Sequence, residues 1–365
     1  MLKLGWVPNS SDYSHPADRR KLLFYLKKVK TNIVYEVAQY DIHYDILYVS
    51  LRSDLTLWSK YRKKQLARGA KTWIIFDLSD SYLLSEKISD VLRPIYHYII
   101  RRCSSLRFSY KNILIEMINN SDVVICGSIE QQLILKEHHE NVRIVRDYFL
   151  DDIRSVKKDY NLAKGGELHI LWEGFSHGNK KIFRMIRGIV HRWGLEKNNY
   201  RINLHFLTDP LYCTYGASTF CRSTYTMLKN IFTNVKCGID VYSWNPATFS
   251  SIATACDFAI IPIPNDSVMW YKPENKLLLL WSLGIPVLAT PTPAYKRVMS
   301  EELMRYLCND LEAWSANIAR MAFASENRQE YMQFANKYLA KHCNDKAILS
   351  MWKEVMSGCD QIVYS

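Results

Sequence analysis

The feature that most restricts how this chain can fold is an alternation that runs through it twice. Short runs rich in β-branched and aromatic residues, bounded by turn residues, take turns with longer stretches whose apolar residues recur at helical spacing. In the first half the strand-like runs cover residues 3–7, 32–38, 45–49, 71–76, 122–126 and 142–145, and the helical ones 18–29, 52–68, 85–119 and 130–138. In the second half, strands are expected at 169–172, 203–207, 239–242, 258–263 and 286–289, with helices at 179–192, 248–256, 275–283 and through the tail 310–356. Strands fed by intervening helices build a parallel sheet covered on both faces. A charged stretch, 152–167, contains Gly165-Gly166, separates the two series and reads as a linker. The sequence therefore predicts two Rossmann-like α/β domains, residues 1–152 and 165–335, with a last helix, 336–365, returning towards the first. In such a pair the ligand is expected in a cleft where the carboxyl ends of the strands face each other.

Composition narrows the class further. Of 365 residues 48% are apolar, enough for two sizeable cores, and Gly and Pro are too sparse for a disordered chain. The nine cysteines show no CxxC and no Cys/His cluster, so reduced thiols are expected and a zinc site is not. Pro8, Asn9 and Asp12 interrupt residues 1–14 where a secretory leader needs an apolar core. The longest apolar run, 277–289, is broken by Gly284 and Pro286, short of the roughly 20 residues a spanning helix needs. The expected location is cytoplasmic.

The formal charge of +12 points to an anionic partner. Basic residues gather before residue 112, in Arg19-Arg20-Lys21, Lys27-Lys28, Arg62-Lys63-Lys64 and Arg101-Arg102. Between residues 85 and 111 they interleave with Tyr96, Tyr98, Ile99, Ile100 and Phe108, a pattern suited to the inner face of an anionic membrane.

The most informative stretch is Asp257-Phe-Ala-Ile-Ile-Pro-Ile-Pro264, followed by Trp270-Tyr-Lys-Pro-Glu-Asn-Lys276 and an apolar helix that ends at Gly284 before Pro286. A helix start leaves backbone N–H groups unpaired and carries partial positive charge, so it attracts anions. Lys272 and Lys276 add two full charges there, and Asn275 can cap the helix or meet phosphate oxygens. Gly174-Phe-Ser-His-Gly-Asn-Lys-Lys181 follows the first strand of the second half, with Ser176, Asn179 and Lys180 as phosphate donors and Gly174 allowing close backbone approach. Trp244 precedes another helix at a strand end, and Tyr295 lies in a loop that borders the same edge.

The stretch 257–295 resembles the donor-binding domain of GT-B glycosyltransferases, especially family 4 and its family 1-type relatives. Asp122-Val-Val-Ile-Cys-Gly-Ser128, Val142-Arg-Ile-Val-Arg-Asp147 and Ile170-Leu-Trp-Glu-Gly174 resemble the segments that close the first domain, precede the linker and open the donor domain. The resemblance implies a nucleotide-sugar donor held by Lys272, Glu274, Asn275 and Lys276, with the diphosphate beside Gly174 and the base near Trp244. It implies no cofactor and no metal. Many retaining members carry two glutamates separated by seven residues. Tyr271 and Leu279 hold those positions here, so the stereochemical outcome stays open.

Acceptor-side chemistry needs a base or an anchor at the carboxyl end of a first-half strand. Asp77-Leu-Ser-Asp80 follows the 71–76 run, with Asp80 the first choice and Asp77 the second. His15, in the loop after the first strand, has an ordinary pKa suited to base work. The sequence thus predicts a glycosyltransferase acting on a glycan or lipid-linked glycan in surface polysaccharide synthesis. The alternatives are a nucleotide-sugar epimerase of the same fold and a nucleic-acid-binding protein. No nucleic-acid recognition motif is present, so nucleic acid is not an expected partner.

Overall fold

The computed structural model describes residues 1–13, 15–29, 33–162, 166–196, 200–214, 220–299 and 301–359, without the side chains of 213, 214 and 220. Ser14, Gly165 and residues 360–365, which the sequence reading placed in its first loop, its linker and its last helix, lie outside this description. The chain divides into two compact units. One comprises Met1–Tyr148, Ser267–Asn275 and His342–Ser365, the other Phe149–Asp266 and Lys276–Lys341.

The first unit is built on a six-stranded sheet of order β2-β1-β3-β4-β5-β6. Its strands are β1 (Leu2–Val7), β2 (Ile33–Val37), β3 (Ile46–Ser50), β4 (Trp73–Asp77), β5 (Val123–Cys126) and β6 (Val142–Ile144). All five neighbouring pairs are parallel. Every residue of β3 and β5 is buried, the near-continuous burial expected of a strand covered on both faces. Alternate side chains feed two separate cores. Leu47, Val49, Ile74 and Phe76 pack with Tyr61, Tyr110 and Met117 on one face. Ile46, Tyr48 and Ile75 pack with Phe24, Tyr148 and Trp352 on the other. Trp352, on the helix Asp345–Met356, is fully buried and stacks on Tyr25 at 5.0 Å.

Two stretches read as single helices are broken. Residues 18–29 form Pro16–Arg20 and Leu22–Lys28, because Lys21 leaves helical geometry (φ −117°, ψ −93°) and its ammonium is buried against Asp77 and Ser79. Residues 52–68 form Leu55–Trp58, capped by the Asp54 side chain, and Tyr61–Leu66. The 85–119 region holds two helices, Lys87–Ile99 and Tyr110–Asn119.

The second unit carries a five-stranded parallel sheet of order β11-β8-β7-β12-β13. The strands are β7 (Glu167–Glu173), β8 (Arg201–Thr208), β11 (Gly238–Ser243), β12 (Phe258–Ile261) and β13 (Val287–Ala289). Between β8 and β11 an antiparallel hairpin, β9 (Leu211–Thr214) with β10 (Phe220–Ser223), adds a feature the sequence pattern did not announce. Cys221 on β10 is disulfide-bonded, which corrects the expectation of reduced thiols throughout, while seven other cysteines are free. The helix Asn275–Ser282 is followed by Gly284 at φ +75°. A Cβ there would lie 2.5 Å from the Lys157 carbonyl oxygen, so only glycine fits the turn without displacement. Numbering strands along the chain, this sheet has the 3-2-1-4-5 order of a nucleotide-binding Rossmann half.

Candidate functional site

In the second unit, β7 runs directly into Gly174, whose φ is +150°. A Cβ there would sit 2.7 Å from Lys276 Nζ, so the missing side chain makes room for the ammonium. Lys276 comes from the first turn of the Asn275–Ser282 helix. Its Nζ donates to the Glu173 carbonyl, lies 3.9 Å from the Glu173 carboxylate and is 5.2 Å from the Trp172 ring centroid. A cation is thereby fixed at the carboxyl end of the sheet's first strand, on a helix start, where diphosphates are bound in this topology. Asn275, which opens the helix, has a buried Oδ1 with no hydrogen-bond partner among the described residues.

The remaining donor-side candidates are placed variously. Gly178 has φ +76° and Lys180 is exposed at the start of the helix Lys180–Leu195. Asn179 turns its amide to the Phe175 carbonyl, 2.6 Å away. Ser176 is wholly buried. Its N–H donates to Asp209 and its hydroxyl to the Leu211 carbonyl, so it shapes the loop instead of presenting itself to a phosphate. Trp244 is half-buried with its ring tilted against Phe249 at 5.8 Å. Tyr295 is 3% exposed, inside the helix Pro293–Val298 that Thr292 caps. The sequence reading set it in a border loop, whereas the Thr292-Pro293 start folds it into the core.

The first unit gathers the other candidates. Asp77, at the end of β4, is 2% exposed. Its carboxylate accepts from Lys21 Nζ at 2.7 Å, Ser79 Oγ at 2.6 Å and Tyr48 OH at 2.8 Å. Both oxygens are engaged, which makes Asp77 an internal counter-ion, not a base open to an acceptor. That pairing outweighs desolvation and holds the pKa of Lys21 above its ordinary value. Asp80, three residues on, is half-exposed and 3.4 Å from Lys272 Nζ, whose pKa it raises. The preferred base and one of the expected phosphate ligands are thus each other's partners. Glu274 is fully buried, 3.4 Å from Arg146 Nε, so its side chain anchors the 267–275 segment. Ser81 reinforces that anchor by donating to the Tyr271 carbonyl.

His15 caps the Pro16–Arg20 helix by accepting the Ala17 N–H at Nδ1, 3.3 Å away. With Nδ1 engaged, the neutral ring carries its proton on Nε2. Burial, helped by Arg52, pushes its pKa down to about 4. This geometry makes His15 a hydrogen-bond donor at neutral pH and a poor base. The loop before it is clamped by Asp18, buried, which accepts from the N–H groups of Asn9 and Ser10.

Sequence reasoning missed Lys21, Tyr48, Asp18 and Arg146. Lys21 lies in a basic run that looked like surface, and Arg146 follows a short strand with nothing to distinguish it. Among the described residues no cluster of three or more His, Cys, Asp or Glu is placed to hold a metal ion.

Two all-parallel sheets, one ordered 2-1-3-4-5-6 and the other 3-2-1-4-5, define a doubly Rossmann-like class, and solved structures give it the GT-B fold of glycosyltransferases. The chain is similar to S. aureus TarM, solved with fondaparinux, α-GlcNAc-glycerol and UDP, at 11% identity over 84% of this chain and 54% of that one, TM-score 0.57. It is similar to a glycosyltransferase from Rickettsia africae at 10% identity over 99% and 98% of the two chains, TM-score 0.56. It is also similar to the DNA-modifying enzyme β-glucosyltransferase, solved with and without uridine diphosphoglucose, at 10% identity over 98% and 100%, TM-score 0.54. The chain spans about half the length of TarM. No family model matches the sequence, and no curated protein does.

Proposed function

We propose that this chain is a glycosyltransferase that moves a sugar from a nucleoside-diphosphate sugar to a glycan or lipid-linked glycan acceptor in surface polysaccharide synthesis. The observation that carries the reading is the ammonium of Lys276 set against side-chain-free Gly174 at the end of β7. As the glycosidic bond breaks, negative charge grows on the departing diphosphate. A fixed cation and unpaired helix N–H groups stabilise that charge more than the ground state. The nucleotides with which TarM and β-glucosyltransferase were solved make uridine diphosphate the first donor nucleotide to test.

On the acceptor side Asp80 is the carboxylate we assign to the incoming hydroxyl, with Lys272 3.4 Å away to orient it. Asp77 and Lys21 support that loop from beneath. The reading carries with it metal-independent transfer, because the cation at the leaving group is a lysine. It also places the work at the cytoplasmic side of a membrane, on its surface. No helix among the described residues is long and apolar enough to cross one.

Titration with UDP tests the donor side. Lys276→Ala is expected to weaken UDP binding roughly 10- to 100-fold, the worth of a charge-assisted hydrogen bond. Asp80→Asn is expected to lower transfer while leaving UDP affinity intact. Unchanged UDP affinity in Lys276→Ala refutes the assigned site. Conversion of a nucleotide sugar to its epimer without any acceptor replaces transfer by epimerisation.

A further inference from the structure

Away from the candidate site, the helix Lys87–Ile99 leaves an apolar stripe uncovered. Ile88 is 72%, Leu92 59% and Ile99 70% exposed, and Val91 lies between them. With Ile95 these side chains fall within about 100° of arc over roughly 16 Å of helix. The opposite face is the packed one. Pro94 is buried, Arg93 lies 3.8 Å over the Tyr82 ring, and His97 meets Tyr110 edge-on. Asp90 accepts from Ser109 Oγ at 2.8 Å and from the Lys111 N–H at 2.6 Å, fastening the next segment alongside. That segment adds Phe108, 65% exposed, and Leu106.

Cations bracket the stripe. Lys87 stands at its start and Arg101 and Arg102 at its end, all exposed and, among the described residues, outside any ion pair. Of the two acidic residues between 86 and 111, Asp90 is occupied as above and Glu86 is exposed. We propose that this face docks the protein on an anionic lipid bilayer. The helix lies in the interface, with Ile88, Leu92, Ile99 and Phe108 entering the acyl boundary and Lys87, Arg101 and Arg102 meeting headgroup phosphates. A second copy of this chain is a poorer occupant, since pairing the face with itself sets like charges against each other. The proposal rests on the transferase reading only for its purpose, access to a lipid-linked acceptor.

Vesicle flotation of the full chain tests it, using phosphatidylcholine alone and phosphatidylcholine with about a third phosphatidylglycerol. Wild type is expected to float with the anionic vesicles only, and less as salt rises. Arg101→Glu/Arg102→Glu is expected to weaken binding tenfold or more, at about fivefold for each charge removed. Ile88→Asp/Leu92→Asp/Ile99→Asp is expected to abolish it with an unchanged melting temperature, since these side chains are exposed. Three results overturn the proposal: wild type that never floats, a triple variant that floats as well as wild type, or a dimer that the triple variant dissolves while vesicles are ignored. UDP binding on the same samples separates the two readings. A chain that floats but ignores UDP keeps the surface and loses the donor site, and one that binds UDP but never floats does the reverse.

Discussion

The carboxyl edges of the two sheets are finished in opposite ways. At the first unit's edge the buried and half-buried carboxylates are answered within the unit: Asp77 by Lys21, Asp80 by Lys272, Glu274 by Arg146, and Asp18 by the backbone of Asn9 and Ser10. In the second unit the corresponding edge carries Gly174 and Gly178 with positive φ, and the Lys276 ammonium, which donates to the Glu173 carbonyl, occupies the space a side chain at 174 would take. Charges already answered make a rigid platform that holds a loop. A cation fixed beside glycines leaves the backbone open to close approach, which is what the proposed donor site requires. On the proposed reading the first edge holds the Asp80 loop in place for the acceptor, and the second meets the diphosphate.

The comparison breaks first at Lys21. Removing one member of a buried pair leaves its partner uncompensated, at a cost of about 3–5 kcal/mol. Lys21→Met is expected to lose that much in a urea titration, and Lys21→Met/Asp77→Asn to recover most of it. A loss under about 1 kcal/mol in the single variant would show that the pair is not structural. Gly174→Ala comes next. Its φ of +150° and the 2.7 Å approach to Lys276 predict a cost of about 1–3 kcal/mol and weaker UDP binding together. Loss of stability with full UDP affinity would separate Gly174 from the donor site.

The smallest effect is an acid slope carried by the first unit. His15 has a folded pKa of about 4, below its ordinary 6.5. As pH falls from 6.5 towards 4 the unfolded chain takes up this proton and the folded chain does not, so stability drops across that window and is level on either side. His97, buried beside Arg93, acts in the same direction. His15→Gln is expected to flatten the fall in stability between pH 7 and 4.5 by about 1–2 kcal/mol. Parallel pH profiles for variant and wild type would remove His15 from the account.

Much of this was readable in advance. Strand alternation located all eleven strands of the two parallel sheets to within a few residues, and Gly284 before Pro286 marked a real helix stop because a left-handed turn and a missing N–H have only one sense there. The hairpin β9–β10 escaped because residues 208–224 carry mixed polar and aromatic residues without clear alternation. Gly174 and Lys276 are 102 residues apart in sequence, and although both were expected at the donor site, only the fold shows the ammonium filling the space of the missing side chain. Helix periodicity failed at Lys21 because a long-range partner, Asp77, overrides local preference. Burial decided Tyr295 and Glu274, and burial depends on neighbours that spacing does not reveal.

The fully buried Trp352 has a consequence for how the protein is made. The six strands of the first sheet have all been synthesised by residue 144, yet one wall of their core is supplied by a helix that ends at Met356. Until residue 352 has been synthesised, Tyr25 and Tyr48 lack the indole that covers them. A sheet whose strands are translated before the second unit is therefore completed only after it, and its nascent form leaves apolar surface exposed in the meantime.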